Sequence, residues 1–291
     1  MISHQFEALG TTCELFVDCE ESAEARLALV AANGEVLRLE TLLSRFRPGS
    51  ELSRLNREGR LRVGPELLEL VQLALDARER TGGRFDPTVL AALEAAGYDR
   101  SFEAVAADGD AAGAPPERCG GEVRIDAVAS TIELGPGVQL DVGGIAKGWI
   151  ADRLCRRLDP HGPALVSLGG DLATSRPPAS GAWPVGIDAP SGRFTVALER
   201  GGLATSGRDR RRWTRAGEER HHAIDPATGR PSETDLLRVT AVAGSGVEAE
   251  ICATALLLAG EASAHDQADR LGIACVLVTG DERTVLAGGL A

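Results

Sequence analysis

The chain has 291 residues, 43% hydrophobic and 25% charged, with 3% aromatics and a formal net charge of −12. Such a composition suits a globular protein with a real core, and its acid excess excludes a general binder of nucleic acid or anionic membrane, so an anionic ligand needs a local positive site or a bridging cation. The six cysteines are dispersed without a CxxC pair, which excludes a disulfide framework or cysteine zinc site, and with no signal-like start or bilayer-length apolar run the expectation is a cytoplasmic chain without membrane insertion.

Gln5–Val17 alternates apolar residues around Leu9-Gly10-Thr11, an opening strand interrupted by a glycine. Ser22–Ser44 has Leu27, Val30, Ala31, Val36 and Leu37 at helical spacing and predicts an amphipathic helix. It runs into LSRFRPGSELSRLN, read as a hydroxyl- and arginine-rich loop with a turn at Pro48-Gly49. Pro65–Thr81 is a second helix, stopped by Gly82-Gly83, and FDPTV follows, with Asp86 before Pro87 held extended or in a turn. Residues 98–122 are rich in Ala, Gly and Asp and read as a variable surface insertion.

Val123–Leu140 is strand-like, with a turn at Gly135-Pro136-Gly137. The central stretch, LDVGGIAKGWIAD from Leu140 to Asp152, reads as strand, glycine turn and helix. Gly143 and Gly144 let backbone approach a ligand, the helix start offers N–H groups, and Lys147 adds a mobile positive charge; together these suit a phosphate or diphosphate, or else form an ordinary turn with a solvated lysine. Neither GxxxxGK[ST] nor GxGxxG is present. ALVSLGGDLAT is a buried strand running into another double-glycine turn, Trp183–Ile187 and Arg193–Leu198 are strands, and LATSGRDRRR is a polar turn leading to a basic patch. Leu237–Ala243 is a strand, Val247–Ala259 an Ala/Leu-rich helix, and Gly272–Thr279 and Arg283–Ala287 are closing strands. Irregular alternation with several hairpins predicts an α+β fold of mixed and antiparallel sheets packed with helices, with no linker to divide residues 1–291.

Two segments carry acid–base or metal chemistry. In HHAIDPATGRP, His221 or His222 could take a proton from a hydroxyl while Asp225 orients the ring or stabilises the loop. Equally, the histidines end a strand and Asp225 makes an Asx-type turn. Glu250 and Thr254 are i,i+4 on one helix face and either form part of a hard-cation site or serve as helix-start residues satisfying the dipole. Arg208, Arg210, Arg211 and Arg212 form a solvated or phosphate-contacting face, and Phe46 is a candidate ring-stacker or a core residue.

In order, ALGTT, SRFRPGSELSRLN, GGRFDPTV, LDVGGIAKGWIAD, ALVSLGGDLAT, LATSGRDRR, HHAIDPATGRP and AEICATALLLAG resemble the ApbE family, the FAD:protein FMN transferases. The resemblance implies a T-fold-related α+β unit that binds FAD, cleaves its diphosphate and transfers FMN to a threonine, sometimes serine, of an acceptor protein, releasing AMP. It implies that Asp141 and Lys147 contact FAD, with Leu9, Asp86, Pro87, Thr88 and Ala223 also lining the flavin site. Phe46 stands in for a tyrosine that packs on the flavin. Mg2+ would be held by the Gly144 carbonyl, Glu250 and Thr254, with His222 as the base and Lys147 offsetting phosphate charge. This chain departs from the family pattern at Glu250, where aspartate is usual, at Ser167, where asparagine is common, and at Phe46, which lacks the hydroxyl. The alternatives are an FAD pyrophosphatase that uses water, giving FMN and AMP, or an FAD-binding protein without turnover.

Overall fold

The computed structural model describes residues 1–105, 108–109, 116–215 and 217–289. The chain folds as two compact units, one from residues 1–40, 145–207 and 234–291, the other from 41–144 and 208–233. The chain passes between them four times, so neither is one continuous stretch, and no linker marks the sequence.

The first unit is built on an eight-stranded antiparallel sheet. Its order is Ile2–Ala8, Thr11–Val17, Ala164–Leu168, Asp171–Thr174, Gly201–Gly207, Leu236–Ala243, Cys275–Thr279 and Thr284–Ala287. Neighbours in the sheet are thus successive in the chain apart from inserted elements. The opening strand is two strands rather than one: Leu9 (φ 56°) and Gly10 (φ 66°) form a tight hairpin turn that pairs Ala8 with Thr11. The helices Ala146–Leu158 and Gly246–Ala259 pack on the central strands. A separate hairpin, Trp183–Ala189 with Gly192–Leu198, buries Trp183, Val185 and Ile187 against Leu165, Leu172, Leu203 and Val276. Central strands therefore lose the alternation that sequence reading relies on; Cys275–Thr279 is buried at every position.

The polar turn expected at the start of Leu203–Arg212 is instead part of a strand of this sheet, Gly201–Gly207. Its small residues serve a close approach: a Cβ on Gly202 would lie 2.4 Å from Gly246 Cα, and one on Gly148 would lie 2.3 Å from the Gly246 carbonyl oxygen. These glycines let the helices Ala146–Leu158 and Gly246–Ala259 meet backbone to backbone. The helix expected over 22–44 forms as Ala23–Leu43 but buries Ala25, Leu29, Ala32, Val36, Leu39 and Leu43. Leu27, Val30 and Leu37, counted on the buried face, are 68%, 57% and 45% exposed.

In the second unit, residues expected as a loop form the helix Glu51–Glu58, which starts where Ser50 Oγ accepts from Ser53 N–H and ends at left-handed Gly59. The helix Pro65–Arg80 begins on a proline, and Gly82 and Gly83 follow it at positive φ, as expected. Val123–Asp126, Thr131–Leu134 and Arg60–Arg62 make a three-stranded sheet, so the long strand expected over 123–140 is a short hairpin. The strand expected over 138–142 is absent. Leu140 and Val142 are buried, but the Leu140 backbone pairs with a side chain: its N–H donates to Asn56 Oδ1 at 2.7 Å and its carbonyl accepts from Asn56 Nδ2 at 2.8 Å. Tyr98, Leu93, Ala92, Trp213 and Ile224 form a core with Phe102 and Cys119 against it. The ends of segment 98–122 thus pack into the core; its residues 106–107 and 110–115 lie outside the described residues.

Candidate active-site residues

In the first unit the site residues gather around Lys147, at the start of the helix Ala146–Leu158. Ile145 occupies the N-cap and provides no side-chain acceptor. Glu250, on the neighbouring helix, supplies one instead: its Oε2 accepts from Gly148 N–H at 2.8 Å. The start of the helix Gly246–Ala259 is satisfied separately, by Ser245 Oγ accepting from Glu248 N–H at 3.1 Å and by the Asp152 carboxylate accepting from Gly246 and Val247 N–H at 2.8 and 3.0 Å. Glu250 therefore does not serve its own helix start. It faces Lys147, whose Nζ lies 3.3 Å from Oε1.

The other partner of Lys147 is Asp171, from the double-glycine turn of ALVSLGGDLAT. Asp171 Oδ1 accepts from Thr205 N–H at 3.0 Å, which fixes the carboxylate against the sheet. Asp171 and Glu250 are 4% and 3% exposed. The mobile lysine expected from sequence is thus a held one, shared by two buried carboxylates. Asp171 was missed by sequence reading; its signal was a lone acid inside a run of apolar residues. Thr254, one turn after Glu250, hydrogen-bonds Ser206 Oγ at 2.9 Å.

Among the described residues no group of three or more His, Cys, Asp or Glu is assembled as a metal site. The donors here nonetheless fit Mg2+ in kind. A buried carboxylate and a hydroxyl one turn apart are hard oxygens, Mg2+ takes few protein ligands, and the two carboxylates outnumber the single ammonium. Gly144 ends the second unit's stretch, immediately before the N-cap.

In the second unit, Asp86 and Thr88 form a buried turn. Asp86 Oδ1 accepts from Thr88 N–H at 2.8 Å and Thr88 Oγ1–H at 2.7 Å, and Oδ2 pairs with Arg78 Nε at 3.1 Å. Thr88 Oγ1 in turn accepts from Gly120 N–H at 2.7 Å, and the Pro87 carbonyl accepts from Asp141 N–H at 2.7 Å. FDPT thus positions Asp141. Asp141 Oδ1 accepts from Gly143 N–H at 2.6 Å, and Oδ2 pairs with Arg45 Nε at 2.7 Å. The Arg45 guanidinium lies 4.2 Å from the Phe46 ring centroid and 4.5 Å from that of Tyr98, and donates to the Tyr98 carbonyl at 2.8 Å. Phe46 itself is 39% exposed, so it keeps ring surface for a ligand. Arg45 was not singled out from sequence.

The two histidines differ. His221 is buried, and burial lowers its pKa below the ordinary value. Its Nε2 lies 3.1 Å from the Ser232 carbonyl, which can only accept, so Nε2 carries the proton. His221 is a strand-end structural residue. His222 sits half-buried at the bend after that strand. Ala223 accepts from Ser232 N–H at 2.8 Å. Asp225 takes the turn role: Oδ1 accepts from Ala227 N–H at 2.9 Å and its carbonyl from Gly229 N–H.

The family model described as ApbE family matches residues 9–277, nearly the whole chain. The chain belongs to the ApbE family. A Treponema pallidum relative named FAD:protein FMN transferase is 31% identical over 97% of this chain and 85% of its own length. A Rhodobacter capsulatus relative of the same name is 30% identical over 98% of this chain, which spans 57% of that longer protein. Membership places the chain among transferases. In structure, the ApbE protein of Thermotoga maritima aligns with TM-score 0.86 at 25% identity, covering 98% of this chain and 96% of that one. The apo flavinyl transferase ApbE of Pseudomonas stutzeri aligns with TM-score 0.83 at 25% identity, covering 98% and 94%. The α+β expectation is met, with antiparallel sheets throughout the first unit's core.

Proposed function

We propose that residues 1–291 act as one functional unit that transfers FMN from FAD to a threonine or serine hydroxyl of an acceptor protein, with Mg2+, releasing AMP. The observation that carries this reading is the Lys147 cluster: a cation-demanding pair of buried carboxylates and a lysine in a chain of this family. Breaking a diphosphate builds negative charge on the leaving AMP, and positive charge fixed beforehand stabilises it without reorganisation. Lys147, held by Asp171, is such a charge. Mg2+, when bound by Glu250 and Thr254, would supply Lewis-acid polarisation of the phosphates.

His222 is assigned the general base that removes the proton from the acceptor hydroxyl, since His221 is committed to Ser232. Phe46, backed by Arg45, offers the ring surface for the flavin, and Asp141, placed by Pro87, offers an acceptor for the flavin ring's one N–H. Asp86, Thr88 and Ala223 shape the surroundings of the flavin in this reading. The test is incubation of purified protein with FAD and Mg2+, with and without an extract of the producing cells. AMP is measured by chromatography and protein-bound flavin by fluorescence on a denaturing gel. AMP together with a fluorescent protein band is expected. AMP without any band would make the chain a pyrophosphatase, and the absence of both products would overturn the reading.

A further inference from the structure

Lys147 and Glu250 carry separate roles in the reaction, yet they also contact each other. Nζ lies 3.3 Å from Glu250 Oε1, while Oε2 takes the Gly148 N–H. A carboxylate has about four lone-pair positions, so a metal ion can join these partners without evicting either sterically. Electrostatics is less permissive. Glu250 is 3% exposed, and at a buried carboxylate two cations repel with little water to screen them.

We propose that Lys147 is a built-in competitor of the divalent cation at Glu250, and that cation binding loosens the Lys147–Glu250 contact and leaves the ammonium on Asp171. This rests on the Mg2+ role assigned to Glu250 in the proposed function. Asp171 is then the positioning residue that keeps the released lysine in place, anchored through Thr205 N–H at 3.0 Å. The extra methylene of Glu250 is what brings the carboxylate within reach of Lys147 and Gly148; an aspartate would draw it back toward the helix Gly246–Ala259. Coupling of this kind is reciprocal: whatever factor the lysine takes from metal affinity, the metal takes from the ion pair.

The test is calorimetric titration with Mn2+ of the full chain in native form, with K147M, with E250D and with both. K147M should bind Mn2+ about tenfold more tightly than the native chain. E250D should also tighten binding, and the two gains should not add, because each removes the same contact. Melting curves give a second readout, with a larger rise in Tm on adding Mn2+ for K147M than for the native chain. Should K147M fail to fold, E250D decides, with unchanged affinity overturning the proposal. Affinity for K147M no tighter than native also overturns it. So does an equal gain from K147M whether or not E250D is present, since the lysine would then act through bulk charge. If affinities are unchanged while the native chain releases AMP with Mg2+, only the competitor is lost. Absence of Mn2+ binding in every form overturns the competitor and the Mg2+ role together.

Discussion

Each unit of this chain buries a charged cluster, and the two are balanced differently. In the first, one lysine serves two carboxylates, Asp171 and Glu250. In the second, each carboxylate has its own arginine, Asp141 with Arg45 and Asp86 with Arg78. A buried pair with matched charges and filled hydrogen bonds acts as a frame, and here it fixes Phe46 and the FDPT turn. A cluster with surplus negative charge keeps a demand for another cation, the property a Mg2+-dependent phosphoryl chemistry needs. The proposed division between scaffold and chemistry thus rests on charge counting as much as on motif.

Substitutions can break this contrast, beginning with the largest effect. Gly148→Ala would place a Cβ 2.3 Å from the Gly246 carbonyl oxygen and force apart the helices that carry Lys147 and Glu250. A loss of about 3 kcal/mol is expected by chemical denaturation. Asp171→Ala leaves the lysine with one partner and Thr205 N–H with none, and should cost about 2 kcal/mol, since Lys147 is 22% exposed and partly resolvates. Asp171→Asn keeps an acceptor for Thr205 and should recover part of the loss. In the balanced unit, Asp86→Ala should cost about 1–2 kcal/mol through the lost Thr88 bonds, while Arg78 returns to water. Equal losses at Asp171 and Asp86, with no effect of Mg2+ on either, would erase the distinction.

The smallest effect is in pH. His221 binds its proton less well folded than unfolded, because burial disfavours the charged ring. The unfolded chain then holds more protons near and below pH ~6.5, so stability is intact above that pH and falls as pH drops through it. His221→Gln should flatten the pH dependence of Tm between about pH 6.5 and 5. An unchanged slope would return the structural role to question.

Much of this was legible in the sequence. The helix Pro65–Arg80 announced itself by apolar period and by its proline and double glycine, and Gly246–Ala259 by a run rich in Ala and Leu. The candidate residues of the central stretch and of FDPT were singled out through motifs and the family resemblance. Other elements were hidden for definite reasons. LATSG, within the strand Gly201–Gly207, looked like a turn because a strand under closely packed helices needs small residues. The run at 138–142 looked like a strand because it is apolar and buries Leu140 and Val142, but its backbone bonds go elsewhere, those of Leu140 to Asn56 and the Asp141 N–H to the Pro87 carbonyl. The helix Glu261–Leu271 buries only Ala264 and Ala268, too faint a stripe to register. Asp171 and Arg45 were missed because their importance lies in partners distant in sequence.

In the proposed reading the surplus-charge cluster of the first unit serves the diphosphate chemistry. The most direct test measures FAD binding and AMP release side by side for the native chain and Lys147→Met, with and without Mg2+. The account predicts Mg2+-dependent AMP release by the native chain, and FAD binding with release reduced about 100-fold in Lys147→Met. AMP release undiminished in Lys147→Met, or independent of Mg2+ in the native chain, would contradict it.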